Sequence, residues 1–406
     1  MNEQLSHDKS RIRDAIDAYA PKLRELAAFI AAHPELGHEE RLASARLAEA
    51  LEELGFAVQR GTLGLETAFI AEYRSDKPGP TIALLAEYDA LPEIGHACGH
   101  HLICTMALGA AAGLVPLLAE TGGILRVYGT PAEETKGAKV DMAAAGLFED
   151  VDAALMAHPY HSFERSGSSL AMDALQYEFF GKAAHAAANP EDGINALDAV
   201  IQLFNGVGAL RQQTRSDARI HGIVSQGGTA PNVIPDYAAA KFYVRAKSRA
   251  YTDELVRKVN ACAEAAAIAT GSRLAISNYE YSYDELRTNE ALSDAFTANL
   301  IEGGVRAEKI AAGHDNGSLD LGNVSLRCPA VHGYVKVVDA PYALHSLEFR
   351  DAAQLPRAYD GMVFGAKTLA LTAYDVLTDA DLLTRIRAEF AAATASRSAD
   401  RLTEKH

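Results

Sequence analysis

Three apolar, β-leaning runs in the first 160 residues each stop at side chains that bind metals or move protons. "TIALLAEYDALP" ends at Glu87 and Asp89, "GILRVYGTPAEE" at Glu133 and Glu134, and "DAALMAHP" at His158. A fourth cluster, "IGHACGHHL", packs His96, Cys98, His100 and His101 directly before a small-residue helix, "HLICTMALGAAAGLVPLLAE". Strands separated by helices of roughly ten to twenty residues form βα units and a largely parallel sheet. In such sheets the chemistry gathers at the carboxyl ends of the strands. The spacing therefore predicts an α/β catalytic domain, a mostly parallel mixed sheet flanked by helices, with all four polar clusters at strand ends.

At 406 residues the chain exceeds one ordinary core, so two domains are expected. Between 174 and 284 the texture changes to "LQYEFFGKAAHAA", "GINALDAVIQLFNGVGALRQQ", "ARIHGIVSQGG", "DYAAAKFYVRA", "TDELVRKVNACAEAAAIAT" and "RLAISNYEYSYDEL". That order is strand–helix–strand–strand–helix–strand, the ferredoxin-like arrangement. We expect a smaller α+β domain at 174–284, inserted into a catalytic domain made of 1–173 and 285–395, with a fraying tail at 396–406. A net charge of −16 argues against nucleic acid or an anionic membrane surface as partner. The charged, helix-patterned N-terminus lacks the apolar core of a secretory signal, and no run of eighteen apolar residues suggests a membrane span. A cytoplasmic location is the expectation. Cys98, Cys104, Cys262 and Cys328 are scattered, which suits free thiols better than a disulfide framework.

Taken singly, each cluster has an ordinary reading beside a chemical one. "CGHH" could hold a metal, cap a helix or serve redox chemistry, though no Cys-x-x-Cys is present. The glutamate pair in "GTPAEE" could be a solvated helix start, or could divide its work, one carboxylate binding a cation and the other moving a proton. His158 and the distant His345 in "YALHSLEF" could each be structural. Jointly, one cysteine, three histidines and one glutamate after apolar runs are enough ligands for two metal ions. A thiolate can bridge such a pair, and the ligand mixture suits zinc while tolerating manganese or cobalt.

The order "HPELGHEE", "AEYDALPEIGHACGHH", "GTPAEE", "MAHP", "GKAAHAA", "GGTAPNVIPD", "SLDLGNVS", "HSLEF" spans nearly the whole chain. In it the sequence resembles the aminoacylase and glutamate-carboxypeptidase family of co-catalytic metallopeptidases. The nearer branch is the amidohydrolases that include hippurate hydrolase, auxin-conjugate hydrolase and p-aminobenzoyl-glutamate hydrolase. The form "AEYDALP" with "SLDLGNVS" is most similar to the p-aminobenzoyl-glutamate hydrolase and dipeptidase-like sub-branch.

The resemblance implies two divalent ions, Cys98 as bridging ligand, and His100, Glu134, His158 and His345 completing the shells. It implies Glu133 as general base and Asp89 as the carboxylate orienting a metal-bound histidine. The inserted domain becomes a lid and dimer interface, whose His185 reaches the partner subunit's site to hydrogen-bond the oxyanion. Asn232 and Arg245 become a clamp for the substrate's free carboxylate, which the planar guanidinium meets bidentately. Ser318 and Asp320 are expected near the site. Three positions depart from the family pattern: His101 where Asp or Asn is usual, Ser346 where Thr is commoner, and Leu319 in place of a Thr. The expected activity is hydrolysis of the amide bond of N-acyl or N-aroyl amino acids by a homodimer. A dipeptidase is the alternative on the same scaffold; a silent binding protein and a thiol redox enzyme are the competing classes.

Overall fold

The computed structural model describes residues 2–315 and 317–403. They form two compact units, one of residues 2–168, 286–315 and 320–403, the other of 169–285 with 317–319.

The first unit begins with α1 (Asn2–Ala32) and α2 (Arg41–Glu53), then β1 (Ala57–Arg60), β2 (Phe69–Arg74) and β3 (Thr81–Ala86). There follow α3 (His100–Thr121), β4 (Ile124–Gly129), α4 (Ala138–Ala144), β5 (Ala153–Tyr160) and β6 (Phe163–Glu164). The second unit comprises β7 (Ala171–Phe180), α5 (Ala196–Leu210), β8 (Arg219–Gln226), β9 (Tyr237–Ala246), α6 (Arg249–Thr270) and β10 (Arg273–Asn278). The chain then adds α7 (Glu290–Glu302), β11 (Ile310–Ala311), α8 (Leu321–Ser325), β12 (Ala330–Lys336), α9 (Leu347–Ala352), α10 (Pro356–Thr378) and α11 (Ala380–Thr403) to the first unit. The stretch from 396, expected to fray, is therefore helical through Thr403, and 404–406 lie outside the described residues.

The first unit's sheet has the order β1-β2-β4-β3-β5-β12-β6-β11. Its centre, β4-β3-β5-β12, is parallel, and β1 and β2 add antiparallel strands at one side. Every residue of β3 is buried, as a central strand covered on both faces demands. The short strand β1 escapes sequence reading because its four residues are almost all exposed and carry no apolar alternation.

Helix α3 packs against α1 and α10, and its small residues make that approach possible. A Cβ on Gly109 would stand 2.7 Å from Leu23, and one on Gly113 2.7 Å from Ile16. By length and composition α3 could cross a membrane, which corrects the expectation that no segment could. However, 83% of its apolar window is buried, so its hydrophobicity is spent inside the core.

In the second unit the sheet order is β10-β7-β9-β8, with β7 pairing antiparallel to both neighbours. Helices α5 and α6 cover one face, through Leu175, Tyr177, Phe179, Phe242, Val244, Leu203 and Leu255. This is the ferredoxin-like arrangement read from the sequence. Asn195 and Ser248 start the two helices by accepting backbone N–H groups, the usual remedy for unpaired donors in a first turn.

Candidate metal centre

Cys98 and His100 straddle Gly99, the residue before α3. Gly99 has φ 84°, and a Cβ there would lie 2.6 Å from Pro159 Cγ, so a bare backbone lets both donors face the end of β5. His158, near that end, places Nε2 3.5 Å from Cys98 Sγ, while its Nδ1 bonds the Pro159 carbonyl at 2.9 Å. After β4, Ala132 adopts a left-handed φ of 65°, a conformation side chains resist, and turns Glu133 and Glu134 toward the same place. His345, also left-handed at φ 63°, is fixed by its N–H on the Ala97 carbonyl at 3.0 Å. Its Nε2 lies 3.0 Å from Glu134 Oε1.

Three sets of donor atoms result, each mutually within 4.8 Å: Cys98, His100 and His158; Cys98, Glu134 and His345; His100, Glu133 and Glu134. The first two share Cys98. Asp89 takes the remaining ring nitrogen of His100, with its Oδ1 and its carbonyl each 3.0 Å from Nδ1, and its Oδ2 accepts the Glu134 N–H at 3.0 Å. A carboxylate on Nδ1 leaves Nε2 as the metal-facing nitrogen. That Nε2 is buried and, among the described residues, has no hydrogen-bond partner. An orphaned imidazole nitrogen beside a thiol and carboxylates is what a divalent cation satisfies, so the donors present fit such ions.

The electrostatics agree. Burial would lower His100, but Glu87 and Asp89 hold it well above its ordinary value. Burial, then Glu87, Glu134 and Asp320, push Glu133 well up. Burial raises the Cys98 thiol strongly, with Glu134 adding to it, and burial pushes His158 down to about 4. Burial thus favours the protonated thiol and carboxyl, and a divalent cation would take the place of those protons on the donor atoms.

Within the second unit, His185 and Asn232 sit on paired loops. His185 bridges Val233, and the Ala186 N–H bonds the Asn232 carbonyl at 3.0 Å. His185 is exposed, and its Nδ1 accepts the N–H groups of Ala187 and Ala188, both at 3.2 Å, which leaves Nε2 as the donor. Arg245, on β9, rests 5.0 Å from the Tyr243 ring and donates from Nη1 to Ser318 Oγ at 3.3 Å.

Residues 173–270 match the M20 peptidase dimerisation domain. The Xaa-Arg dipeptidase of Mus musculus is 37% identical over 94% of this chain and 92% of its own length. The chain belongs to the M20 family of metallopeptidases. A p-aminobenzoyl-glutamate hydrolase of Escherichia coli (strain K12) is 30% identical in one of its subunits, over 93% of this chain and 94% of that subunit. The YXEP protein of Bacillus subtilis, described as a dinuclear metal binding peptidase from the M20 family, shares the fold. Its TM-score is 0.66 at 21% identity, over 89% of this chain and 99% of that one. Membership makes this chain a metal-dependent hydrolase of linear amide or peptide bonds.

Three residues of this M20 hydrolase acquire roles that the sequence concealed. Glu40, in "HPELGHEE", is fully buried; its Oε1 accepts the Ala132 N–H at 2.8 Å and its Oε2 the Thr67 hydroxyl at 2.9 Å. It thereby braces the turn that carries Glu133. Lys139 is fully buried between Glu87 and Asp320. Its signal was a lysine three and four residues before Met142 and Ala143, on the apolar face of a helix. Asp320, expected near the site, is buried, and its Oδ1 accepts from Lys139 Nζ at 2.6 Å. His101 joins none of the donor sets among the described residues: it is buried, its Nε2 bonds the Ala353 carbonyl at 3.2 Å, and burial pushes it down to about 4. Ser346 in place of Thr caps α9, its Oγ accepting the Phe349 N–H at 3.2 Å, which either hydroxyl can do.

Proposed function

We propose that this chain hydrolyses the amide bond joining an acyl or aroyl group to an amino acid with a free α-carboxylate, using two divalent ions. The observation that carries the reading is the meeting of two donor triads on the single thiol of Cys98, with Glu133 beside them. Cys98, His100 and His158 would hold one ion, and Cys98, Glu134 and His345 the other. Zinc suits this mixture, with manganese or cobalt as substitutes. When bound, the ions supply a Lewis acid for the scissile carbonyl and a lowered pKa for water.

Glu133 takes the proton of the attacking water and delivers it to the leaving amine. Burial and the neighbouring carboxylates Glu87 and Glu134 raise its proton affinity, which favours taking the proton from water. Asp89 holds the His100 ring. His185 of the partner subunit donates from Nε2 to the developing oxyanion, and Asn232 and Arg245 take the substrate carboxylate, with Ser318 orienting the guanidinium. The inserted unit acts as lid and as dimer interface. Its edge strand β8 supports the latter, with Ile223 64% and Val224 47% exposed, an uncovered apolar edge suited to pairing with a second copy. Four free cysteines suit a cytoplasmic location.

A second reading, dipeptide cleavage with a basic C-terminal residue, is favoured by the 37% identity to the Xaa-Arg dipeptidase. Chelated protein should be inactive and recover with zinc, manganese or cobalt; full turnover in a rigorously metal-free preparation would sink the mechanism. A substrate panel varying the acyl and amino halves independently then separates the readings. The first expects the highest kcat/KM on an N-acyl or N-aroyl amino acid, the second on an Xaa-Arg dipeptide.

A further inference from the structure

Lys139 has no part in the steps above, yet it is fully buried. A buried ammonium is expensive unless paired and hydrogen-bonded. Here its Nζ donates to Glu87 Oε2 at 2.7 Å and to Asp320 Oδ1 at 2.6 Å. Glu87 follows β3, Lys139 lies in α4, and Asp320 precedes α8, so three separate segments meet on one charge. The backbone beside it is bare: a Cβ on Gly137 would stand 2.2 Å from Asp320 Oδ2.

The other oxygen of Glu87, Oε1, lies 3.5 Å from His100 Nε2. Donors sharing one tetrahedral ion, with bonds of about 2.1 Å, sit roughly 3.4 Å apart. Glu87 is thus within reach of becoming a ligand to the ion that His100 would hold. Among the described residues, however, it belongs to none of the mutually close donor sets, and its second oxygen is tied to Lys139. We propose that Lys139 is a positioning residue that holds Glu87 outside the metal shell, keeping a coordination position open for substrate. Charge argues the same way. With two divalent ions bound, ionised Glu87, Asp89, Glu133, Glu134, Asp320 and Cys98 would carry more negative charge than the ions cancel, and Lys139 would offset part of the excess.

The inference rests on the metal-hydrolase reading, which the parent protein's own zinc binding and turnover decide first; a parent that binds no zinc removes both. Lys139→Met keeps the side chain's length and removes its charge. Zinc titrated into the metal-free variant against a chromophoric chelator should bind at least about tenfold more tightly, because Glu87 is released to join the shell. In the loaded variant kcat should fall at least about 100-fold with KM within about threefold. Adding Glu87→Gln to Lys139→Met should return kcat to within about tenfold of the parent. A lysine needed only for folding would lose metal affinity, thermal stability and activity together, without recovery in the double variant. That pattern overturns the proposal, as does a Lys139→Met protein with unchanged zinc affinity and turnover. If Lys139→Met yields no folded protein, Glu87→Gln alone decides. Zinc affinity within about threefold of the parent is expected, and a loss of about tenfold or more places Glu87 among the ligands and overturns the proposal.

Discussion

At the scale of single residues, the candidate centre gives adjacent groups different surroundings. Glu134 is held below its ordinary value by His345 and His100 in spite of burial, whereas its neighbour Glu133 is pushed up. On the proposed mechanism this difference would separate the ligand, Glu134, from the base, Glu133, although the two are chemically the same. Glu133→Gln should therefore keep metal content, read by elemental analysis, while kcat falls by about 10²- to 10⁴-fold. Retained turnover would remove Glu133 from the role. Arg245→Ala should raise KM about 10- to 100-fold with a smaller change in kcat, the weight of a charge-assisted hydrogen-bonded pair. Glu40 offers a pH test in the metal-free protein. Burial, with Asp89 adding to it, raises its carboxyl from 4.5 to about 7. The folded state then binds its proton more tightly than the unfolded chain. This contribution is fully present below pH 4.5 and is lost as pH rises through 7. Comparison of denaturant unfolding for parent and Glu40→Gln between these limits should show a difference in slope worth up to about 3 kcal/mol. Parallel curves would mean that Glu40 titrates alike in the folded and unfolded chain, against the expected shift.

The elements position these residues through backbone conformations that most side chains cannot adopt. Gly99, Ala132 and His345 all have positive φ, and each stands at or beside a donor. Gly99→Ala combines an unfavourable left-handed alanine with a contact of 2.6 Å to Pro159, so it should cost about 1–3 kcal/mol and reduce metal occupancy. Thermal melts with and without zinc would check this: a variant as stable as the parent and fully loaded contradicts it. Strand and helix types were legible because β3, β4 and β5 are apolar runs of strand length and α3 is long and rich in small residues. The strand β1 was not, since an exposed four-residue edge has no pattern to read.

At the scale of the whole molecule, the strand order of the inserted unit leaves β8 at an edge with Ile223 and Val224 uncovered. Sedimentation should give twice the 43.3 kDa of one chain, and Ile223→Lys with Val224→Lys should shift the population to monomer. A monomeric parent would remove the partner's His185 from the mechanism. The sequence by itself determined the strand–helix alternation, the ferredoxin-like order and the identity of the donor-bearing turns, because hydrophobic period and strand-end clusters are local properties. Tertiary structure alone decided that His101 leaves the donor set for the Ala353 carbonyl, that Asp320 belongs to Lys139, and that Glu40 braces the turn of Glu133. In each case the partner lies from 92 to 252 positions away along the chain, and only the folded packing sets which buried polar groups must satisfy one another.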